Sequence, residues 1–246
     1  MPDALILSLP GSTLGQTAVT LLLRHHLAIH YRAVFSEQQC SALSAAVYAA
    51  RAFWNADFDG AHFSLGRSWY AHWAERRARL YFQQARVSNE LLEQCLSGMP
   101  SQICALMSQA LGAPVQLRAG WCGPGIHIFP AAGWCAQHGG DIHFDTEGLL
   151  YPTPLVHTTA LTMIVMLQPP EQGGGLKLWQ VRYPQQRNLT SAMLAAEHLT
   201  VSYQTGDLVI IDAYTLHQIQ PFEGQRDRIS ITAHLAHTSK GWIIWF

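Results

Sequence analysis

Residues 205–235 read TGDLVIIDAYTLHQIQPFEGQRDRISITAHL, short runs of β-branched and apolar residues separated by Asp, Gly and Pro. That grammar predicts strands at 207–212, 215–220 and 228–236, since each run is too short for a helix and is bounded by turn residues. Outward from there, the same pattern holds back to Pro114 and predicts strands at 115–119, 124–129, 141–145, 156–167 and 175–181. Many short strands with turn signals between them point to an antiparallel barrel or sandwich.

Before Pro114 the grammar is helical. Ser36 and Gln39 have capping-box spacing and precede an Ala-rich stretch to about Trp54. Further helices are predicted over Ser68–Phe82 and from Ser88-Asn89-Glu90 to about Leu111, with a break at Gly98-Met99-Pro100. Thr190 can cap a short helix over Ser191–His198. With no linker-like stretch and no repeat, the expectation is one domain over 1–246, α+β but mainly β, with helical support at about 1–113 and a β core at about 114–246.

Composition narrows the function. The chain has 246 residues, about half of them hydrophobic and 13% charged, which suits a folded soluble domain. Its formal net charge of −1 leaves no basic footprint for nucleic acid, so the expected partner is a small molecule. Asp3 and the interruptions at Pro10, Gly11 and Gly15 read as neither an export signal nor a membrane span. Five scattered cysteines without a C-x-x-C pair argue against a disulfide framework and fit a reducing cytoplasm. The triplet Asn188-Leu189-Thr190 is then a chance sequon.

Within DIHFDTEGLL, residues 141–150, His143 and Asp145 stand two apart, so on a strand they share a face. A carboxylate aimed into a barrel is costly unless it is paired or binds a cation, and a neutral imidazole beside it is a good ligand for a divalent metal. Alone, the pair reads more readily as chance or as a buried His–Asp hydrogen bond. His217, on a later strand, supplies a third donor; two histidines and one carboxylate on one side of a metal form the facial triad of non-haem Fe(II) oxygenases. Arg228 and Ser230, again two apart, suit the far carboxylate of 2-oxoglutarate, an electron donor in such chemistry. The competing reading is a strand charge paired to Asp227 or Glu223, with Arg226 as the rival for the carboxylate.

HFD at 143–145, GGGLKLW at 173–179, GDLVIID at 206–212, and His217 followed by RIS at 228–230 together resemble the Fe(II)/2-oxoglutarate-dependent dioxygenase superfamily. The resemblance covers roughly residues 115–236. It implies a double-stranded β-helix (jelly roll, cupin-like), with His143, Asp145 and His217 as Fe(II) ligands, Arg228 and Ser230 as 2-oxoglutarate ligands, and O2 as the oxidant. Related halogenases have a small residue at the carboxylate position, so Asp145 implies hydroxylation or another oxidation instead. Many relatives place a cosubstrate-binding Tyr shortly before the first metal ligand; here GIHIFPAAG offers His127 in its place, sharing a strand face with Phe129.

The expected reaction is hydroxylation of a small molecule, an amino acid or a natural-product intermediate. Desaturation, cyclisation or demethylation on the same fold is the alternative, and a cupin-like metal-binding sensor or isomerase without 2-oxoglutarate chemistry is the alternative of another class. Phe129, Trp134, His138, Glu147, Tyr151, His157 and Trp179 are the candidate pocket residues, from strand ends and the loops flanking 141–145. The other histidines, His62 and His234 among them, read as surface or packing residues. Gly173-Gly174-Gly175 lacks the Lys-Ser/Thr of a phosphate loop and reads as a tight turn. GWIIWF at 241–246 is open between a last strand, a pocket cover and a subunit contact, and the oligomeric state is open too.

Overall fold

The computed structural model describes residues 5–151, 155, 158–183 and 189–246. Its first half carries β1 (Ile6–Pro10), α1 (Val19–Leu22), β2 (Ala28–Arg32), α2 (Glu37–Ala49), β3 (Asn55–Asp57), β4 (His62–Leu65), α3 (Trp69–Ala74), α4 (Ala78–Leu96) and α5 (Met99–Leu111). The second half carries β5 (Val115–Leu117), β6 (Gly125–Phe129), α6 (Trp134–His138), β7 (Ala160–Gln168), β8 (Gln172–Gly173), β9 (Leu176–Arg182), α7 (Ser191–Leu194) and β10 (His198–Val201). It closes with β11 (Leu208–Asp212), β12 (Thr215–Ile219), β13 (Phe222–Glu223), β14 (Arg228–Thr238) and β15 (Gly241–Trp245).

The fold is a double-stranded β-helix. A ten-stranded sheet runs β1-β2-β11-β7-β14-β6-β4-β3, with β15 pairing β14 and β5, and a three-stranded sheet runs β10-β9-β12. Alternation along β14 sorts its two faces. Ile229, Ile231, Ala233 and Leu235 join Leu161, Met163 and Val165 of β7 and Ile126 and Ile128 of β6 in a core sealed by α2, α4 and α5. The opposite set, Arg228, Ser230, Thr232 and His234, lines a cavity. Ile164, Leu176, Leu178, Val209 and Ile211 fill the remaining space between the sheets.

Four departures from the sequence reading have local causes. The first 65 residues are not purely helical support: β1 to β4 belong to the large sheet, in runs so short that periodicity does not mark them. The helix expected at 68–82 ends at Ala74, where Arg76 takes φ +59°, and α4 then runs unbroken to Leu96. The break at Ser97-Gly98 before α5 stands as expected. Thr190 does cap α7, but the helix stops at Leu194 and His198 opens a strand. Segment 141–145 is not a ladder strand. It bonds β12 and the residues just before it at drifting offsets, Gly140 N to Ile219 O, His143 with His217, and Asp145 N to Ala213 O, so only His143 forms a true bridge.

Residues 241–245 form the last strand, one of the three readings left open for 241–246, and the Phe246 ring covers Gly125. A Cβ at Gly125 would stand 2.1 Å from that ring, which dictates glycine at the start of β6. The glycine run forms a turn: Gly173 and Gly174 have φ of +76° and +68°.

Candidate metal centre and its cavity

His143 and His217 exchange both backbone hydrogen bonds, and their rings stand 4.3 Å apart. Asp145 reaches between them: Oδ1 lies 3.4 Å from His143 Nε2 and Oδ2 lies 3.3 Å from His217 Nε2. One ligand atom from each residue falls within 4.8 Å of the others, a group that can hold a metal ion. In both histidines Nδ1 donates to a main-chain carbonyl two residues back, Asp141 and Thr215, at 2.8 Å. In the neutral ring, that fixes the tautomer and leaves Nε2 as a lone-pair donor.

Neighbouring side chains orient this trio. Thr162 Oγ1 donates to Asp145 Oδ2 and lies 3.1 Å from His234 Nδ1, which is itself 3.8 Å from the carboxylate. Tyr70 stacks on His143 at 5.5 Å and donates to Asp141 at 3.1 Å. Burial works against a charged Asp145, but His217, His234 and His143 together hold its carboxyl well below the usual range. Burial likewise opposes charge on His143, and Asp145 outweighs it, lifting the imidazole to about 9, whereas burial dominates at His217 and lowers it to about 4.

The trio opens into a cavity of about 390 Å³, within the range of small-molecule sites. Farther along its wall lies Arg228, 1% exposed. Its Nε donates to Gly174 O at 3.1 Å and its Nη1 to Ser230 Oγ at 3.3 Å, while Nη2 is buried without a partner. Among the described residues no carboxylate pairs with this guanidinium. Neither Asp227 nor Glu223 neutralises it, and Arg226 is exposed. A buried, uncompensated charge of this kind costs several kcal/mol and suits an anionic ligand. Two more sealed polar atoms make no hydrogen bond of normal length among the described residues: His127 Nδ1, on the residue paired with Ser230 across β6 and β14, and the Tyr203 hydroxyl, which faces the guanidinium, its ring 5.4 Å away. Burial pushes the Tyr203 phenol up to about 12 against the opposing charge of Arg228.

The structure thus gathers His143, Asp145, His217, Arg228, Ser230, His127, Phe129 and Trp134 around one cavity. Other pocket candidates lie elsewhere. Trp179 is adjacent to Leu178, which pairs with His217, so strand alternation turns Trp179 to the outer face against Phe144 and Leu216. Glu147 and Tyr151 line a neighbouring groove of about 310 Å³ that reaches His143 from another side. His138 is stacked on Trp134, at 4.8 Å, rather than lining the cavity, and His157 is outside the described residues. Conversely, His62, Tyr70 and His234 line the cavity. His234 was legible, since 228, 230, 232 and 234 share a strand face; His62 and Tyr70 carry no sequence signal.

A family model described as carrier-protein-independent halogenase WelO5 matches residues 24–246. The chain belongs to this family. It is an enzyme of the Fe(II)/2-oxoglutarate-dependent oxygenase superfamily, whose cofactors are Fe(II) and 2-oxoglutarate, also called α-ketoglutarate. No curated protein matches significantly. Solved structures share its fold at low identity. The α-ketoglutarate-dependent carbocyclase SnoK from nogalamycin biosynthesis is 16% identical with a TM-score of 0.62, covering 92% of this chain and 85% of that one. The epimerase SnoN, in complex with Fe3+, α-ketoglutarate and nogalamycin RO, is 16% identical with a TM-score of 0.58, covering 91% and 82%. An N-substituted L-amino acid dioxygenase from Burkholderia ambifaria AMMD is 15% identical with a TM-score of 0.56, covering 96% and 90%. The described residues contain no helix long and apolar enough to cross a membrane.

Proposed function

We propose that this member of the family hydroxylates an unactivated C–H bond of a small molecule, an amino acid or a natural-product intermediate. His143, Asp145 and His217 hold Fe(II); Arg228 and Ser230 anchor the far carboxylate of 2-oxoglutarate, with His127 and Tyr203 beside it. When bound, these groups couple the reduction of O2 and decarboxylation of 2-oxoglutarate to C–H oxidation. The protein's part is to orient both reactants in one cavity and to limit water at the reacting centre.

Asp145 carries the choice of reaction. A halogenase needs a position at the metal for halide, and the Asp145 carboxylate, 3.4 and 3.3 Å from the two imidazole nitrogens, would take that position. The buried, unpaired Arg228 separates this reading from a cupin-like sensor or isomerase, which has no need of a carboxylate anchor. The five cysteines are free, which suits a reducing cytoplasm.

A screen for substrate-dependent succinate release across a metabolite library, with product mass as the second readout, tests the reading. A gain of one oxygen is the expected result. A chlorinated product formed in the presence of chloride overturns it, and a loss of two hydrogens assigns desaturation or cyclisation instead.

A further inference from the structure

One wall of the cavity holds a polar group that the metal and cosubstrate roles leave unused. His62, 6% exposed, lines the cavity between Phe129, its ring stacked at 5.0 Å, and Phe58 at 5.5 Å. Its Nε2 is sealed and turned towards Asp57 Oδ2, 3.8 Å away. Asp57 is wholly buried at the end of β3, paired in register with His62 across the β3–β4 hairpin, and among the described residues neither of its oxygens makes a hydrogen bond within normal distance, the Ser64 hydroxyl being a donor beside it. Its other oxygen faces Arg77 at 3.6 Å. A side-chain shift of under about 1 Å brings the pair to hydrogen-bond distance.

A buried carboxylate held only by long contacts, Arg77 at 3.6 Å and His62 at 3.8 Å, is costly, and the fold places it where it meets one ring nitrogen of a cavity residue. Burial pushes Asp57 up to about 6, leaving it mainly ionised at neutral pH, and burial lowers His62 to about 4, leaving it neutral. A neutral imidazole facing a carboxylate carries its proton on the nitrogen that faces it. The remaining nitrogen, Nδ1, is then an acceptor with no donor among the described residues.

Resting on the reading of this cavity as the substrate pocket, we infer that His62 is a substrate-orienting residue, locked by Asp57 as an Nδ1 acceptor, and that the substrate presents an N–H or O–H donor to it. Asp57 is a positioning residue and does not touch the substrate. The inference selects substrates with a neutral donor, an alcohol, phenol, amide or indole N–H, over their O- or N-alkylated counterparts. A site built around a hydrogen bond rejects the analogue lacking it more strongly than an apolar pocket rejects an extra methyl group.

The test uses the full chain loaded with Zn(II) and 2-oxoglutarate, histidine-labelled with 15N, and two probes, 2-naphthol and 2-methoxynaphthalene. We expect His62 to be the Nε2–H tautomer, 2-naphthol to bind about tenfold more tightly than its ether and to move the Nδ1 signal, and that preference to vanish in His62→Phe. In Asp57→Leu the tautomer should become mixed. An Nδ1–H tautomer in the wild type overturns the inference, as does a 2-naphthol preference retained in His62→Phe; the tautomer decides even where neither probe binds. The charge-transfer band of the Fe(II)–2-oxoglutarate complex, measured separately, reports on the proposed function, so its absence with the tautomer intact sinks that reading and not this one.

Discussion

His143 and His217 are joined by two main-chain hydrogen bonds, 3.1 and 3.0 Å, in a bridge that neither neighbour extends into a ladder. The bridge sets the spacing of two imidazoles, and the irregular chain on either side lets Asp145 swing back between them. Metal binding should therefore depend on each of the three residues and on what holds the carboxylate. Replacing any one of the three with Ala should reduce Fe(II) affinity by at least about 100-fold, and Thr162→Val should reduce it about 10- to 100-fold, by anaerobic equilibrium dialysis.

Arg228 should show opposite effects on the empty and loaded protein. Arg228→Met removes a buried, uncompensated charge and should leave the ligand-free chain as stable as the wild type or more so. The same change should weaken 2-oxoglutarate by about 2–5 kcal/mol, since it removes one side of a desolvated charge pair. Thermal melts with and without 2-oxoglutarate, on the Mn(II) form, measure both. A variant that retains cosubstrate-induced stabilisation contradicts the role.

Asp57 gives a pH-dependent prediction. Burial raises its carboxyl from 3.8 to about 6, so the native state binds a proton more tightly than the unfolded chain. The stability linked to that proton is present below about pH 4 and lost as pH rises through about 6. Asp57→Asn should thus gain stability relative to the wild type across that window, by roughly 3 kcal/mol above it at about 1.36 kcal/mol per unit. Urea unfolding at pH 4, 5, 6 and 7 checks the sign; a gap that narrows with rising pH refutes it.

Gly125→Ala should destabilise by about 1–3 kcal/mol, because the new methyl would overlap the buried Phe246 ring. That ring also lies 4.8 Å from His127, so the variant should weaken 2-oxoglutarate binding modestly. Chemical denaturation and cosubstrate titration on the same preparation measure the two effects.

Strand grammar and ligand spacing were readable because alternation is local: Arg228 and Ser230 share a face on any strand, and His217 needed only to follow a turn. What required the fold was everything set by long-range pairing. Trp179 lies beside the cavity in sequence pattern, yet the pairing of Leu178 with His217 turns it outward. His62 and Tyr70 come from a short strand and a short helix whose patterns resemble many others, and only the β4–β6 and α3 placement brings them to the cavity wall. Tyr203 sits in a loop before β11 and reaches Arg228 only because β11 crosses beside β2 and β7. The segment 141–145 reads as a ladder strand because its alternation suits one, while its hydrogen bonds drift in register and bring His143 and Asp145 together with His217.

The central claim is that His143, Asp145 and His217 hold Fe(II) while Arg228 anchors 2-oxoglutarate beside it. Anaerobic titration of Fe(II) and 2-oxoglutarate, followed by the metal-to-ligand charge-transfer band, tests it most directly. The band should appear in the wild type, be lost in His143→Ala/Asp145→Ala, and require much higher 2-oxoglutarate in Arg228→Met. Persistence of the band at wild-type intensity in the His143→Ala/Asp145→Ala variant would contradict the account.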